Sequence, residues 1–155
     1  VKIKEECFVE WKQLRFAYCP QLKEVGKNGF DNCQNLQVVI GDKIQQIKSR
    51  AFYFCFNLTL IDLQYVRFLD KNSFYATGLM SIANKSIEKL NDVVFCSSDS
   101  LQQIELQSLE EIKQTDEFSC AKLLTSVRFP QLQLNQWEKL NITVGSTGIV
   151  KLQIL

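Results

Sequence analysis

Apolar positions in this chain recur at intervals that fit neither a helix face nor a strand face for long. Residues 51–63, AFYFCFNLTLIDL, carry seven large apolar side chains, yet Leu58, Ile61 and Leu63 are spaced by three and then two. A longer period resolves the conflict. Leu14, Leu36, Leu58, Leu79, Leu101 and Leu124 fall in one register, at spacings of 22, 22, 21, 22 and 23. Three residues after each stand Ala17, Val39, Ile61, Ile82, Ile104 and Val127. Eight after stand Leu22, Ile44, Val66, Ile87, Leu109 and Leu132. Eleven after come Val25, Ile47, Leu69, Leu90 and Ile112, with Asn135 breaking the column in the last copy. Phe30, Phe52, Phe74 and Phe95 follow five residues later, and Phe118 six later. Five such columns in one register make the chain a tandem array.

The offsets predict the elements of each copy. The stretch after the Leu, as in LTLIDL, reads as a short strand. The next piece, IQQI or VRFL, brings a second apolar pair inward after a bend. The AFYFC part suits a short helical or 3-10 turn that drops its Phe into the core. A single unit cannot bury its own apolar edge, whereas stacked units bury a continuous core with strands ~4.8 Å apart. The expected fold is an α/β solenoid of about six repeats of 21–23 residues. Its parallel sheet lines the concave face, with short strands and 3-10 turns on the convex side. The phenylalanines and leucines of 51–63 are read as ladder columns inside it.

Composition agrees with a single folded domain. Of 155 residues 46% are apolar and 23% charged, enough to bury a core. A net charge of +1 leaves no electrostatic footprint for nucleic acid, and no apolar run reaches the roughly 18 residues of a membrane-inserting helix. Histidine is absent, which removes the commonest general base and metal ligand. No nucleophile–base pair or metal set can then be assembled, so catalytic residues, metal and cofactor are all expected to be none. Among the six cysteines there is no CxxC pair. Cys33 and Cys55 share a column that continues as Thr77 and Ser98, which favours small, buried, unbridged side chains.

The arrangement C-x-x-L-x-x-I-x-L-…-V-x-x-I-G-x-x-A-F-x-x-C resembles the BspA-type leucine-rich repeats. LKEVGKNGFDNCQNL (22–36) and IQQIKSRAFYFCFNL (44–58) carry the likeness best, and it extends over residues 3 to about 134. Departures from the pattern are Trp11 in the cysteine column, Asn84 in place of an inward aliphatic, and one inserted residue before Phe118. The resemblance implies a surface or secreted protein that attaches to host matrix proteins or other cells.

Two units are expected: a repeat domain over 1–140, starting in mid-repeat, and a last stretch over 141–155. Ile3 and Phe8 already fit the columns, so VKIKEECF either caps itself or continues a longer array, and the second reading is preferred. At the other end GSTG separates two alternating stretches, which reads as a hairpin or an irregular last rung that caps the core.

Candidate chemistry is sparse. The pairs Glu5–Glu6 and Glu110–Glu111 read as solvated surface, because adjacent residues on a strand point apart. Sequons occur at Asn57, Asn84 and Asn141, the first two beside or within inward columns. The outward strand positions are more informative. They run Phe16 and Tyr18, Val38 and Ile40, Leu60 and Asp62, then Ser81 and Ala83, Gln103 and Glu105, Ser126 and Arg128. The first half is apolar and aromatic and the second polar. A patch on the order of several hundred Å² on a rigid sheet marks an interaction surface. Phe16, Tyr18, Val38, Ile40, Leu60 and Asp62 are therefore the expected ligand-binding residues of a non-enzymatic protein-binding module on a cell surface. A missing N-terminal repeat, a neighbouring domain or a second copy covering the patch is the competing reading. An intracellular scaffold or regulator of another protein is the alternative for the whole chain.

Overall fold

The computed structural model describes residues 1–90, 93–113, 118, 120–138, 140 and 142, together with the backbone of 151–153. It is a parallel-strand solenoid of about five turns, the six leucines of the register bounding five intervals. Strands alternate between two columns. The front column holds β2 (Phe16–Tyr18), β4 (Val38–Ile40), β6 (Leu60–Ile61), β8 (Ser81–Asn84), β10 (Gln103–Leu106), β12 (Ser126–Arg128) and β13 (Lys151–Gln153). The side column holds β1 (Lys2–Ile3), β3 (Glu24–Val25), β5 (Gln46–Ile47), β7 (Phe68–Leu69), β9 (Lys89–Leu90) and β11 (Glu111–Ile112). Every pairing is parallel and paired rungs sit directly over one another, with Val39 opposite Ala17 and Ile61.

The repeat columns line the interior. Leu36, Leu58, Leu79 and Leu101 are all buried, as are the residues three, eight and eleven places after each. The Phe column is a stack of rings. Centroids are 5.1 Å apart from Phe8 to Phe30, 5.3 Å from Phe30 to Phe52 and 5.2 Å from Phe52 to Phe74. Phe129 and Trp137, outside the column read from the sequence, extend the stack beyond Phe118. Where Asn135 breaks the side column, α1 (Leu134–Trp137) replaces a strand and supplies the buried Trp137.

The α/β label does not fit the described residues, which are strand and turn apart from the four residues of α1. The reason lies in the turn column. In the first four turns two non-glycine residues take positive φ four places apart, as do Asn28 (53°) with Asn32 (60°), and Arg50 (55°) with Phe54 (56°). Left-handed residues end a right-handed helix before it can propagate. Single turns close instead, with Cys33 N–H donating to Phe30 and Leu36 N–H to Cys33. The remaining amides reach the next rung. Asn28, Phe30 and Asn32 donate to the carbonyls of Ser49, Ala51 and Tyr53, which satisfies groups that would otherwise be orphaned.

The stack has one seam. The front column splits into β2–β4–β6 and β8–β10–β12–β13, and the side column into β1–β3–β5–β7 and β9–β11. At other junctions two successive amides donate to one carbonyl of the rung before: Thr59 and Leu60 to Gln37, Gln102 and Gln103 to Met80. Among the described residues Met80 and Ser81 make no such pair with Thr59. The interval from Leu58 to Leu79 is also the 21-residue one. Gly78 enters it so tightly that a Cβ there would lie 2.4 Å from the Phe56 carbonyl oxygen.

Asn84 holds the seam from within. Its Nδ2 donates to the carbonyls of Leu63 (2.6 Å) and Val66 (2.8 Å), and its Oδ1 accepts from the N–H groups of Ser86 and Ile87, both 2.7 Å. The residue that departs from an aliphatic pattern is thus a fully bonded buried amide, 3% exposed.

The last stretch is partly described. Lys151–Gln153 lies parallel beside β12, with Val127 opposite Leu152. GSTG, Val144 and the Asn141 sequon lie outside the described residues.

Candidate functional site

Alternation along β2, β4 and β6 turns Ala17, Val39 and Ile61 inward and their neighbours out. The register then places Phe16, Val38 and Leu60 in one outward row and Tyr18 beside Ile40 in the next. Phe16 is 63% exposed, Tyr18 74%, Ile40 48% and Leu60 60%, while Val38 is half-buried between its row neighbours. The outward apolar residues of the first half are thereby contiguous. Asp62 lies just past β6, half-buried, and accepts hydrogen bonds from the Gln64 backbone N–H (2.9 Å) and Nε2 (2.6 Å).

The second half of the front face is neutralised rather than merely polar. Arg128 Nη1 meets Glu105 Oε1 at 2.9 Å across β10 and β12. Ser81, Ala83 and Gln103 in that half are exposed and Ser126 is half-buried. Between the halves, at the seam, opens a cavity of about 570 Å³ bordered by β4, β6 and β8.

The residues of 51–63 do not all belong inside. Phe52, Leu58, Ile61 and Leu63 are buried, but Phe56 is 50% exposed and Phe54 half-buried. Phe54 points outward on the turn column, where it touches Tyr53 (4.2 Å), Phe56 (5.4 Å) and Tyr75 (5.8 Å). The Arg50 guanidinium covers Tyr53 at 4.1 Å. Alternation in FYFCF would put Phe52, Phe54 and Phe56 on one side, whereas the structure buries the first and turns out the other two. Periodicity alone could not separate them.

The thiols of Cys33 and Cys55 are buried and unbridged, each donating to a carbonyl of an earlier turn, Phe8 (2.8 Å) and Phe30 (3.1 Å). Burial pushes the Cys33 thiol up to about 11 and Cys55 well above its ordinary range, the reverse of an activated nucleophile. Glu111 and Glu24 are held low by Lys89 and Lys2 across neighbouring strands, at 3.0 and 2.6 Å. Among the described residues no group of His, Cys, Asp and Glu is placed to hold a metal, and no helix is long and apolar enough to cross a membrane. Of the sequons, Asn57 is exposed and Asn84 is sequestered by its own hydrogen bonds.

Solved structures with the same fold include a leucine-rich cell surface protein from Faecalibacterium prausnitzii A2-165. It is 23% identical over 81% of this chain, with a TM-score of 0.70, and the chain spans 42% of its length. A T. pallidum leucine-rich repeat protein is 14% identical over 80% of this chain and 71% of its own, with a TM-score of 0.62. A leucine-rich repeat protein from Bacteroides ovatus ATCC 8483 is 18% identical over 98% of this chain and 58% of its own, at 0.55. No curated protein matches the chain by sequence. The BspA type leucine rich repeat region matches residues 1–90 and 23–140, in six copies. With its columns, its rung-over-rung register and that match, the chain belongs to the BspA-type leucine-rich repeat family, a protein-interaction fold.

Proposed function

We propose that the chain is a non-enzymatic protein-binding module of a cell-surface or secreted recognition protein, and that it binds through its front face, the concave side of the arc. The observation that carries this reading is the contiguous exposed set Phe16, Tyr18, Val38, Ile40 and Leu60, with Asp62 at its margin. Rigid aromatic and aliphatic side chains on a hydrogen-bonded sheet lose little conformational freedom when covered. Burial of ~300 Å² of such surface contributes on the order of 7 kcal/mol before association entropy is charged against it. The family's interaction fold and the cell-surface naming of the F. prausnitzii relative support the same placement. The partner class is a matrix or cell-surface protein.

The test uses Ile40→Asp and Tyr18→Ala, with Gln103→Ala as the control on the polar half. Binding is measured to an immobilised panel of matrix and cell-surface proteins, and self-association by sedimentation. A carboxylate at position 40 has no partner and should abolish binding. Loss of self-association alone assigns the patch to a second copy of the chain. If both variants fold and change neither readout, the front face is not the site.

A further inference from the structure

The cavity at the seam differs from the apolar rows beside it in chemistry. Its walls are Ile40, Leu60, Ala83 and Ser81, and its only charged lining residues are Asp42 and Asp62. No lysine or arginine lines it among the described residues. Lys43, next to Asp42, donates to Gln21 Oε1 at 3.0 Å, and with Lys23 and Asp42 it borders an adjoining cavity rather than this one. Among the described residues only the amides of Gln64 meet Asp62, and the acid–base pair farther along the face, Glu105 with Arg128, is closed on itself. The Thr59 carbonyl, which its counterparts Gln37 and Met80 spend on the amides of the following rung, accepts none here. Apolar walls, Thr59 and two carboxylates that make no ion pair among the described residues thus meet in one opening of about 570 Å³.

We propose that this cavity takes a basic side chain of the protein partner, its aliphatic stem along Leu60, Ile40 and Ala83 and its charged head at Asp62 and Asp42. Such a side chain divides as the cavity does, with an apolar stem and a cationic head. Charge complementarity at this point fixes the register of a partner that the apolar rows alone would hold without direction. The inference rests on the front-face reading above and names the chemistry of its partner.

The probe is a peptide series, acetyl-Phe-Leu-X-Leu-Phe-amide with X arginine, lysine or norleucine, titrated against the whole chain with amide shifts as readout. The basic peptides should bind ~10-fold or more tightly than the norleucine peptide, a gap that narrows with salt. Shifts should centre on Leu60, Asp62, Ser81 and Ala83. Asp62→Asn keeps the oxygen that accepts the Gln64 N–H, so it should fold normally and close the gap; Asp42→Asn should narrow it. Equal binding of all three peptides, shifts centred elsewhere, or no binding at all overturns the proposal. If equal binding is still lost in Ile40→Asp, the front-face reading stands and only this inference fails.

Discussion

Phe74 and Phe95 stack with ring centroids 5.7 Å apart and planes 17° from parallel, across the one junction where neither strand column is paired. The neighbouring step from Phe52 to Phe74 is 5.2 Å. Rings and turns therefore carry the continuity that strands provide elsewhere. The Asn72, Phe74 and Ala76 amides still donate to Val93, Val94 and Cys96. Thr77 and Ser98, in the cysteine column, lie 3.3 Å apart, oxygen to oxygen. Replacing Phe74 with Ala should cost ~3–5 kcal/mol in urea denaturation, as buried Phe truncations do. An unchanged midpoint would show that the stack does not couple the two halves.

Asn84 carries four hydrogen bonds in an interior position, two of them to the carbonyls of the preceding rung. Asn84→Leu has the aliphatic character of the column but leaves those buried groups without partners. The loss should be ~2–4 kcal/mol, since each unsatisfied buried group costs its own desolvation. Equilibrium unfolding compared with Ile82→Val, which removes one methylene and no bond, separates the two effects.

The raised thiols give stability a dependence on alkaline pH. A thiol that ionises at 9.0 when solvated but at about 11 at Cys33 favours the folded state fully below pH 9. That contribution is lost as pH rises through 9 toward 11, because only the unfolded chain then sheds the proton. Cys55, raised in the same direction by burial, adds to it. Replacing both with Ser, the residue at 98 in the same column, should flatten the decline. Denaturation midpoints at pH 8 and pH 10.5 are the check, and equal slopes in the variant and parent would exclude the assignment.

Gly78 tolerates no side chain without movement of the Phe56 carbonyl. Gly78→Ala should destabilise by ~1–3 kcal/mol, as overpacking against backbone does. Amide exchange should quicken first at Gln102 and Gln103, whose N–H groups donate to the Met80 carbonyl just past Gly78.

The interior was legible in the sequence because it repeats. A Leu every 21 to 23 residues, followed at fixed offsets by aliphatics and a Phe, can hardly point anywhere but inward. The outward rows were legible for the same reason, through alternation at Phe16 to Tyr18 and Val38 to Ile40. What was not legible depended on single rungs. Asn84 broke a pattern whose meaning lies in the carbonyls of Leu63 and Val66, residues no spacing rule links to it. Glu105 and Arg128 were visible as two charges but not as a pair. Phe54 and Phe56 looked like core because apolarity does not report which side of a turn a residue takes. The shortened interval before Leu79 was in plain view, yet its effect on two hydrogen-bond ladders appears only when the rungs are stacked.

The turn column has an electrical consequence. At each of four successive junctions three amides donate forward and three carbonyls accept from behind, from Glu6, Phe8 and Glu10 up to Asn72, Phe74 and Ala76. In paired strands the bonds run both ways and their dipoles cancel. In this column they all run one way, each peptide contributing about 3.5 D along the stack. The turn side of the array is therefore a polarised wall, with its positive end toward the later rungs, whereas the front sheet beside it carries no such field.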